Sequence, residues 1–311
     1  MKKNSTLKAL LYALIAACVL VLALISCKTE QKYDRSPLAM GTDIEAVAQM
    51  QASRELAKVT PIIPLPDSKE FDRHYSYLFD DAGEDFPFRV CLPSNWDGKS
   101  KLPMVMFLHG AFNTESSYLD QEDFQMVKLA DKYGMLLVSP LGGHGAYGTY
   151  LKLPGSFGRD EANASILDEQ PTEERKADQC ISEKDVINVI ELVLANFPVD
   201  RKNMFLMGHS MGSGGTWYIG GKYPDYWKAL APISGPFVTE EGYPWGNIKD
   251  KPIFITEGSF GCATTDSSRE LYDWMKERGF DVSYKEYEGN HADMVPMALP
   301  DVFEFFKAHK N

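Results

Sequence analysis

A serine flanked by glycines is the part of the sequence whose residue types and spacing best suit chemistry. Gly208-His209-Ser210-Met211-Gly212 follows the apolar residues 204–207 and precedes small residues that can begin a helix. A Gly-x-Ser-x-Gly segment between a strand and a helix makes a sharp turn that exposes the serine hydroxyl, and residues larger than glycine would clash there. The pattern therefore predicts Ser210 as the nucleophile of an acyl-transfer reaction.

A serine hydroxyl is a poor nucleophile until a positioned base removes its proton, and His291 is the best candidate for that base. It follows the last predicted strand and precedes the final helical segment. Of the other histidines, His74 is predicted in an edge strand, His109 at the end of a central strand and His144 in a glycine-rich loop. His209 lies within the serine pentapeptide, and His309 lies near the C-terminus. We expect only His291 to serve Ser210.

Two backbone N–H groups are needed to stabilise the oxyanion that forms during acyl transfer. Met211 directly follows the nucleophile at the start of a helix, so we expect its N–H to supply one of them. The loop 108–112 follows a central strand, and Ala111 or Phe112 is expected to supply the other. We expect His109 to hold this loop rather than to act as a base.

Strand-like and helix-like segments alternate from residue 74 onward, which is typical of an α/β fold. The predicted strands are residues 75–79, 86–92, 103–108, 135–139, 204–207, 229–233, 253–256 and 282–287, and the predicted helices include 125–133, 182–197 and 302–309. The first two strands suit an antiparallel hairpin, whereas the continuous apolar run 103–108 suits a buried parallel strand. We expect a doubly wound, mostly parallel, eight-stranded sheet with helices on both faces. The motifs fall at the carboxyl ends of its strands, where such sheets bind ligands.

These motifs resemble secreted α/β-hydrolases of the polyhydroxybutyrate-depolymerase and feruloyl-esterase type, and also predicted peptidases of the prolyl oligopeptidase superfamily. The resemblance rests on residues 86–93, 108–111, 200–212 and 289–291, and it covers roughly residues 70 to 310. It implies an α/β-hydrolase sheet and a triad in the chain order serine, acid, histidine. It also implies hydrolysis through an acyl-enzyme with neither a metal nor an organic cofactor.

The acid of the triad is expected after the strand 252–256. Many members of the resembled families place an aspartate a few residues after a glycine, where this chain has Phe260 and Gly261. Asp266 comes later, but we expect the loop to bring it back, and it is our preferred acid. Glu257, at the end of the strand, is the rival, and Asp293 is a third candidate.

An ester is favoured over a peptide as the substrate, because the segment before residue 70 is too short for the propeller of prolyl oligopeptidases and because esters are cleaved more easily than amides. The aromatic residues Phe112, Tyr147 and Trp217 are candidates for lining a pocket that takes a feruloyl or acetyl ester on a polysaccharide. Core packing is the other interpretation of each. A catalytically inactive hydrolase fold that serves as a binding lipoprotein is the alternative from another functional class.

The N-terminal residues have the features of a bacterial lipoprotein signal. A cationic start precedes an apolar segment that ends at Leu24-Ile25-Ser26-Cys27. We expect residues 1–26 to be removed, Cys27 to carry lipid, and the protein to be exported and held at a membrane facing the periplasm or the cell exterior. A permanent membrane helix is the alternative. Residues 27–69 are predicted to form a tether with a short helix and a proline-rich connector, and residues 70–311 the catalytic domain.

Charge and cysteine content narrow the partners further. The net charge of −12 becomes about −15 without residues 1–26, which disfavours nucleic acid and anionic polymers and favours a neutral substrate.

The mature part keeps Cys91, Cys180 and Cys262 besides Cys27. Three thiols allow at most one disulfide, and Cys180 with Cys262 is the preferred pair, because both are expected in loops and Cys91 in a buried strand.

Overall fold

One mixed sheet organises the computed structural model, which describes residues 53–143, 146–148, 157, 173–262 and 264–311. Its strands are β1 (Ile63–Pro64), β2 (Asp72–Phe79), β3 (Glu84–Cys91), β4 (Leu102–Leu108), β5 (Leu136–Pro140), β6 (Val199–His209), β7 (Ala229–Ile233), β8 (Ile253–Gly258) and β9 (Val282–Tyr287). The spatial order is β1-β2-β3-β5-β4-β6-β7-β8-β9. Pairing is antiparallel from β1 to β5 and parallel from β5 to β9. The predicted, mostly parallel α/β sheet is confirmed.

The described sheet has nine strands, whereas the sequence predicts eight. The additional strand is β1, in which Ile63 pairs with Ser76 and Pro64 with Tyr75. It is short and lies at the edge of the sheet, where a proline is tolerated because its missing N–H would face away from the neighbouring strand. It belongs to the proline-rich connector, so the sheet begins before the predicted domain boundary at residue 70.

In the described part of the chain, five helices cover the two faces of the sheet: α1 (Gln121–Tyr133), α2 (Glu173–Asn196), α3 (Met211–Lys222), α4 (Thr265–Glu277) and α5 (Val295–Ala308). Buried side chains of α1 and α5 join one apolar cluster, and those of α2, α3 and α4 join the other. Alternate residues of β4 enter the two clusters, Met104 and Met106 on one side and Val105 and Phe107 on the other. A strand that is apolar at every position is therefore buried on both faces.

The predicted disulfide is wrong, because Cys91, Cys180 and Cys262 are all thiols. Cys180 lies in α2, whereas the Cys262 sulfur lies 3.4 Å from the Ser234 hydroxyl in the loop region after β7 and β8. The two thiols belong to different parts of the fold, which loop assignment from sequence could not reveal.

The predicted signal, Cys27, most of the tether, His144 and residues 149–156 and 158–172 lie outside the described residues. Residues 53–56 are helical and come from the end of the predicted short helix. Among the residues that the structure does describe, no helix combines the length and apolar character needed to cross a bilayer.

Candidate active site

Ser210 lies in a strained turn between β6 and α3. Its backbone has φ 57° and ψ −115°, a region that residues with a side chain rarely occupy. The flanking glycines are required by close backbone contacts: a Cβ on Gly208 would lie 2.3 Å from the Gly212 oxygen, and one on Gly212 would lie 1.9 Å from the Leu108 oxygen. The strand, turn and helix that the pentapeptide predicts are present, and they hold the serine at the carboxyl end of β6.

His291 lies within hydrogen-bond distance of Ser210. It follows β9, and its Nε2 is 2.8 Å from the Ser210 Oγ. This is the distance that a general base needs in order to take a hydroxyl proton. The two residues are 81 positions apart in sequence, so the fold brings together the pair that the sequence predicts.

The other nitrogen of His291 contacts a serine that the sequence analysis missed. Its Nδ1 lies 2.7 Å from the Oγ of Ser234, directly after β7. The Ser234 Oγ lies 2.9 Å from Oε2 of Glu257, a fully buried residue of β8. A hydroxyl therefore stands between the histidine and the acid. The only sequence signal for Ser234 is its place after a predicted central strand.

Four hydrogen bonds reach the Glu257 carboxylate. Oε2 accepts from Ser234, while Oε1 accepts from the Gly235 N–H at 2.9 Å, the Thr264 hydroxyl at 3.1 Å and the Ser268 hydroxyl at 2.6 Å. Burial raises the pKa of Glu257, and these donors oppose the rise. A carboxylate can accept from all four donors, whereas a protonated carboxyl would have to donate one of the bonds itself. The hydrogen-bond set therefore fits the ionised form.

The hydrogen-bond partners also fix the direction of each proton between Glu257 and Ser210. Because the carboxylate only accepts, the single hydroxyl proton of Ser234 points to Glu257. The Ser234 oxygen is then the acceptor for Nδ1–H of His291, and Nε2 is left with a lone pair facing Ser210. That tautomer is the one able to accept the serine proton.

The geometry does not support Asp266 as the acid. Its side chain is 94% exposed in the first turn of α4, where it forms an ion pair with Arg269. The loop after β8 does not fold back as we expected, because the helix begins before it could. Asp293 accepts a hydrogen bond from Asn290 in an exposed turn. Of the three candidates, only the rival Glu257 is linked to His291.

Cys262 directly follows Phe260 and Gly261, the positions at which the sequence lacks the expected aspartate. Its sulfur is 3.7 Å from Nδ1 of His291 and 3.4 Å from the Ser234 Oγ. Burial raises the pKa of this thiol, so it is uncharged at neutral pH. It fills space beside the histidine and supplies no negative charge.

The predicted oxyanion-hole residues lie in two places at the same edge of the sheet. Met211 is the first residue of α3, where backbone N–H groups have no partner within the helix. Ala111 and Phe112 follow β4, and Phe112 has φ 64°. His109 is buried, its Nε2 lies 2.7 Å from the Leu141 oxygen, and it joins this loop to the segment after β5. The role of Met211 and of Ala111 or Phe112 in binding the oxyanion stays a prediction.

His209, inside the pentapeptide, is buried and holds the loop of the base. Its Nε2 lies 2.8 Å from the backbone oxygen of His291, and its Nδ1 lies 2.6 Å from the Tyr118 hydroxyl. Burial lowers the pKa of His209 to about 3, so the ring is neutral. The carbonyl can only accept, so Nε2 carries the proton and Tyr118 donates to Nδ1.

Two of the three candidate pocket residues are core residues. Trp217 and Tyr147 are fully buried, and the Tyr147 hydroxyl donates to the His109 backbone oxygen at 3.1 Å. Their prediction as pocket lining is corrected: Trp217, in α3, packs in the same apolar cluster as Tyr147. Phe112 is fully exposed beside the site and remains a candidate.

The chain is similar to known ester hydrolases. Residues 80–270 match the model of the Esterase family, described as "Putative esterase". A mouse (Mus musculus) S-formylglutathione hydrolase is 26% identical over 158 residues, which are 50% of this chain and 54% of that protein. The chain thus matches about half the length of this curated relative.

Solved structures share the fold. An S-formylglutathione hydrolase from Agrobacterium tumefaciens has a TM-score of 0.58 at 14% identity, over 80% of this chain and 100% of that one. A ferulic acid esterase from Anaeromyces mucronatus has a TM-score of 0.53 at 19% identity, over 79% and 96%. Because the family model covers more than half of its residues, the chain belongs to the esterase family.

Proposed function

We propose that this protein is a serine hydrolase that cleaves carboxylic esters through an acyl-enzyme. The observation that carries the proposal is the 2.8 Å contact between Ser210 Oγ and His291 Nε2 at a strained strand-to-helix turn. A positioned base, a buried acid behind it and a helix N-terminus beside the nucleophile are the parts that acyl transfer requires. Membership of the esterase family supports the same activity.

The reaction follows from these positions. The Ser210 oxygen bonds to the ester carbonyl carbon while its proton moves to Nε2 of His291. The tetrahedral intermediate then loses the alcohol, which takes the proton from Nε2, and the acyl group remains on Ser210. Water attacks this acyl-enzyme, gives a proton to Nε2, and releases the acid as the proton returns to Ser210.

A neutral ester with an aromatic or acetyl acyl group is the substrate class we favour. Phe112 gives the site an exposed aromatic ring, and the net charge of −12 disfavours anionic substrates. Similar proteins include ferulic acid esterases, and the substrate in that name fits an aromatic acyl group. Similar proteins also include S-formylglutathione hydrolases, so a thioester is the substrate to compare with an oxygen ester.

Export and lipid anchoring remain part of the same proposal and rest on the sequence of residues 1–27 alone. Labelling of the full chain with a radioactive fatty acid in a bacterial host tests them. We expect label on the unaltered chain and none on Cys27→Ser. Equal labelling of both, or label on neither, would contradict lipidation at Cys27.

A substrate panel tests the activity itself. Purified protein is assayed with p-nitrophenyl acetate, methyl ferulate, an S-formyl thioester and an aminoacyl p-nitroanilide. We expect turnover of the oxygen esters by the unaltered protein and loss of turnover in Ser210→Ala. Ser283→Ala is the control. This exposed serine lies near the amino end of β9, whereas Ser210 and His291 lie at the carboxyl ends of their strands. Turnover of the anilide alone would indicate a peptidase, and no turnover of any substrate would favour an inactive binding protein.

A further inference from the structure

We infer that Ser234 is a positioning residue whose hydroxyl connects the buried charge of Glu257 to His291. This inference rests on the proposed function, because it assigns a role within the same reaction. Two hydrogen bonds in series carry it, 2.7 Å from His291 Nδ1 to Ser234 Oγ and 2.9 Å from Ser234 Oγ to Glu257 Oε2.

The backbone of Ser234 is held in an unfavourable conformation that aims its side chain at this position. Its φ is 54°, in the left-handed region that residues with a Cβ rarely occupy. The surrounding backbone compensates: the Ser234 N–H donates to the Thr256 oxygen at 2.8 Å, and the Gly235 N–H donates to Glu257 Oε1 at 2.9 Å. Strain kept in place by its neighbours is typical of functional positions.

Glu257 is the buried negative charge that faces the base. The other titratable groups around His291 in the described residues are Cys262, whose thiol is neutral, His209, whose ring is neutral, and Glu288 and Asp293, which are exposed in the same loop. Glu257 is fully buried and carries four hydrogen bonds that favour its charged form. When His291 takes the Ser210 proton, the positive charge of the imidazolium is therefore stabilised by the negative charge of Glu257 through the Ser234 hydroxyl.

No proton has to leave Ser234 for this arrangement to work. As the Ser210 oxygen bonds to the acyl carbon, its proton moves to Nε2, and Nδ1–H stays hydrogen-bonded to the Ser234 oxygen. The Ser234 proton remains directed at Glu257 throughout. The hydroxyl thus fixes the ring orientation and tautomer and transmits the stabilisation by hydrogen bonding, as the acid of a triad does by direct contact.

Substitution of Ser234 by alanine is the direct test, with Ser268→Ala as the matched control. Both serines donate to Glu257, but only Ser234 contacts His291. We expect Ser234→Ala to lower kcat for p-nitrophenyl acetate about 10²-fold or more, with a smaller change in KM. We expect Ser268→Ala to lower kcat by less than about tenfold.

The pH profile and a double variant separate a positioning role from a merely structural one. Without its link to Glu257, the imidazolium of His291 is less stable, so the acidic limb of kcat/KM moves to lower pH in Ser234→Ala and in Glu257→Gln. The double variant should be about as slow as the slower single variant, because both changes break one connection. Ser234→Gly, which is unstrained at this φ, replaces the alanine variant should the latter fail to fold.

Two results would overturn the inference. One is a Ser234→Ala protein with kcat within about threefold of the unaltered protein and an unmoved acidic limb. The other is a double variant whose losses multiply, since that would make the two residues independent. Either result can occur while Ser210→Ala is inactive, so failure of the inference is distinguishable from failure of the proposed function.

Discussion

Nε2 of His209 lies 2.8 Å from the backbone oxygen of His291, so the residue beside the nucleophile holds the loop of the base. The hydroxyl of Tyr118, in the loop after β4, donates to the other nitrogen of His209 at 2.6 Å. A Cβ on Gly110 would lie 2.7 Å from the Tyr118 oxygen, so only glycine leaves room for it. The loop after β4, the nucleophile turn and the loop of the base are thereby joined by one chain of hydrogen bonds.

Loss of the bond from His209 should slow the reaction without removing any group that touches the substrate. We expect His209→Phe to lower kcat by about 10-fold to 100-fold, because a small displacement of the base is costly. Tyr118→Phe is the control: it keeps the bond from His209 to His291 and removes only the donor to Nδ1, so its loss should be smaller. Steady-state kinetics and circular dichroism check both variants. Full activity of a folded His209→Phe protein would contradict the holding role.

Separate substitutions of Glu257 and Asp266 should have opposite effects on activity: loss in the first case and little change in the second. Glu257→Gln should lower kcat by about 10³-fold to 10⁴-fold, because the amide can donate as well as accept and carries no charge. Asp266→Asn should keep kcat within about twofold, because this side chain is exposed and pairs only with Arg269 among its described contacts. The assignment of Glu257 would fail if Asp266→Asn were the slower enzyme.

The pH dependence of the reaction should reflect the burial of His291. Burial disfavours the imidazolium, so the pKa of His291 lies below its ordinary value of 6.5. The reaction needs the neutral ring, so activity is retained as pH falls to 6.5 and is lost only below it. A pH profile of kcat/KM should therefore have its acidic midpoint below 6.5. A midpoint above 6.5 would mean that the charge of Glu257 stabilises the imidazolium more than burial destabilises it.

Phe112 should affect which esters bind well. It is exposed beside the site, so Phe112→Ala should raise KM for methyl ferulate about 3-fold to 10-fold and leave KM for p-nitrophenyl acetate unchanged. Phe124→Ala is a matched control, because this phenylalanine is also exposed but lies in α1. Equal changes for both esters would show that Phe112 shapes the loop rather than contacts an aromatic acyl group.

The fold and the nucleophile could be predicted from sequence because both follow from local patterns. Apolar runs such as 103–108 identify strands buried on both faces, and the glycines beside Ser210 report close backbone contacts that only glycine permits. His291 could be found because the chain order of strands leaves it at the correct edge of the sheet. Each of these inferences depends on short-range sequence and strand order.

The acid and its connecting serine could not be predicted in this way. The preference for Asp266 assumed that a long loop would fold back, whereas α4 begins at Thr265 and carries Asp266 into solvent. Ser234 follows β7, and Glu257 lies near the end of β8. Their contact depends on a positive φ at Ser234, which no local sequence pattern predicts. Tyr147 and Trp217 were misassigned because an aromatic residue in the sequence does not show which way it faces.

Mass spectrometry of the protein after reaction with a fluorophosphonate tests the central claim most directly. The probe requires an activated serine, which the contact between Ser210 Oγ and His291 Nε2 supplies. We expect one adduct, located by peptide mapping at Ser210, absent from Ser210→Ala and formed much more slowly in His291→Ala. An unlabelled native protein, or an adduct on a different serine, would contradict the account.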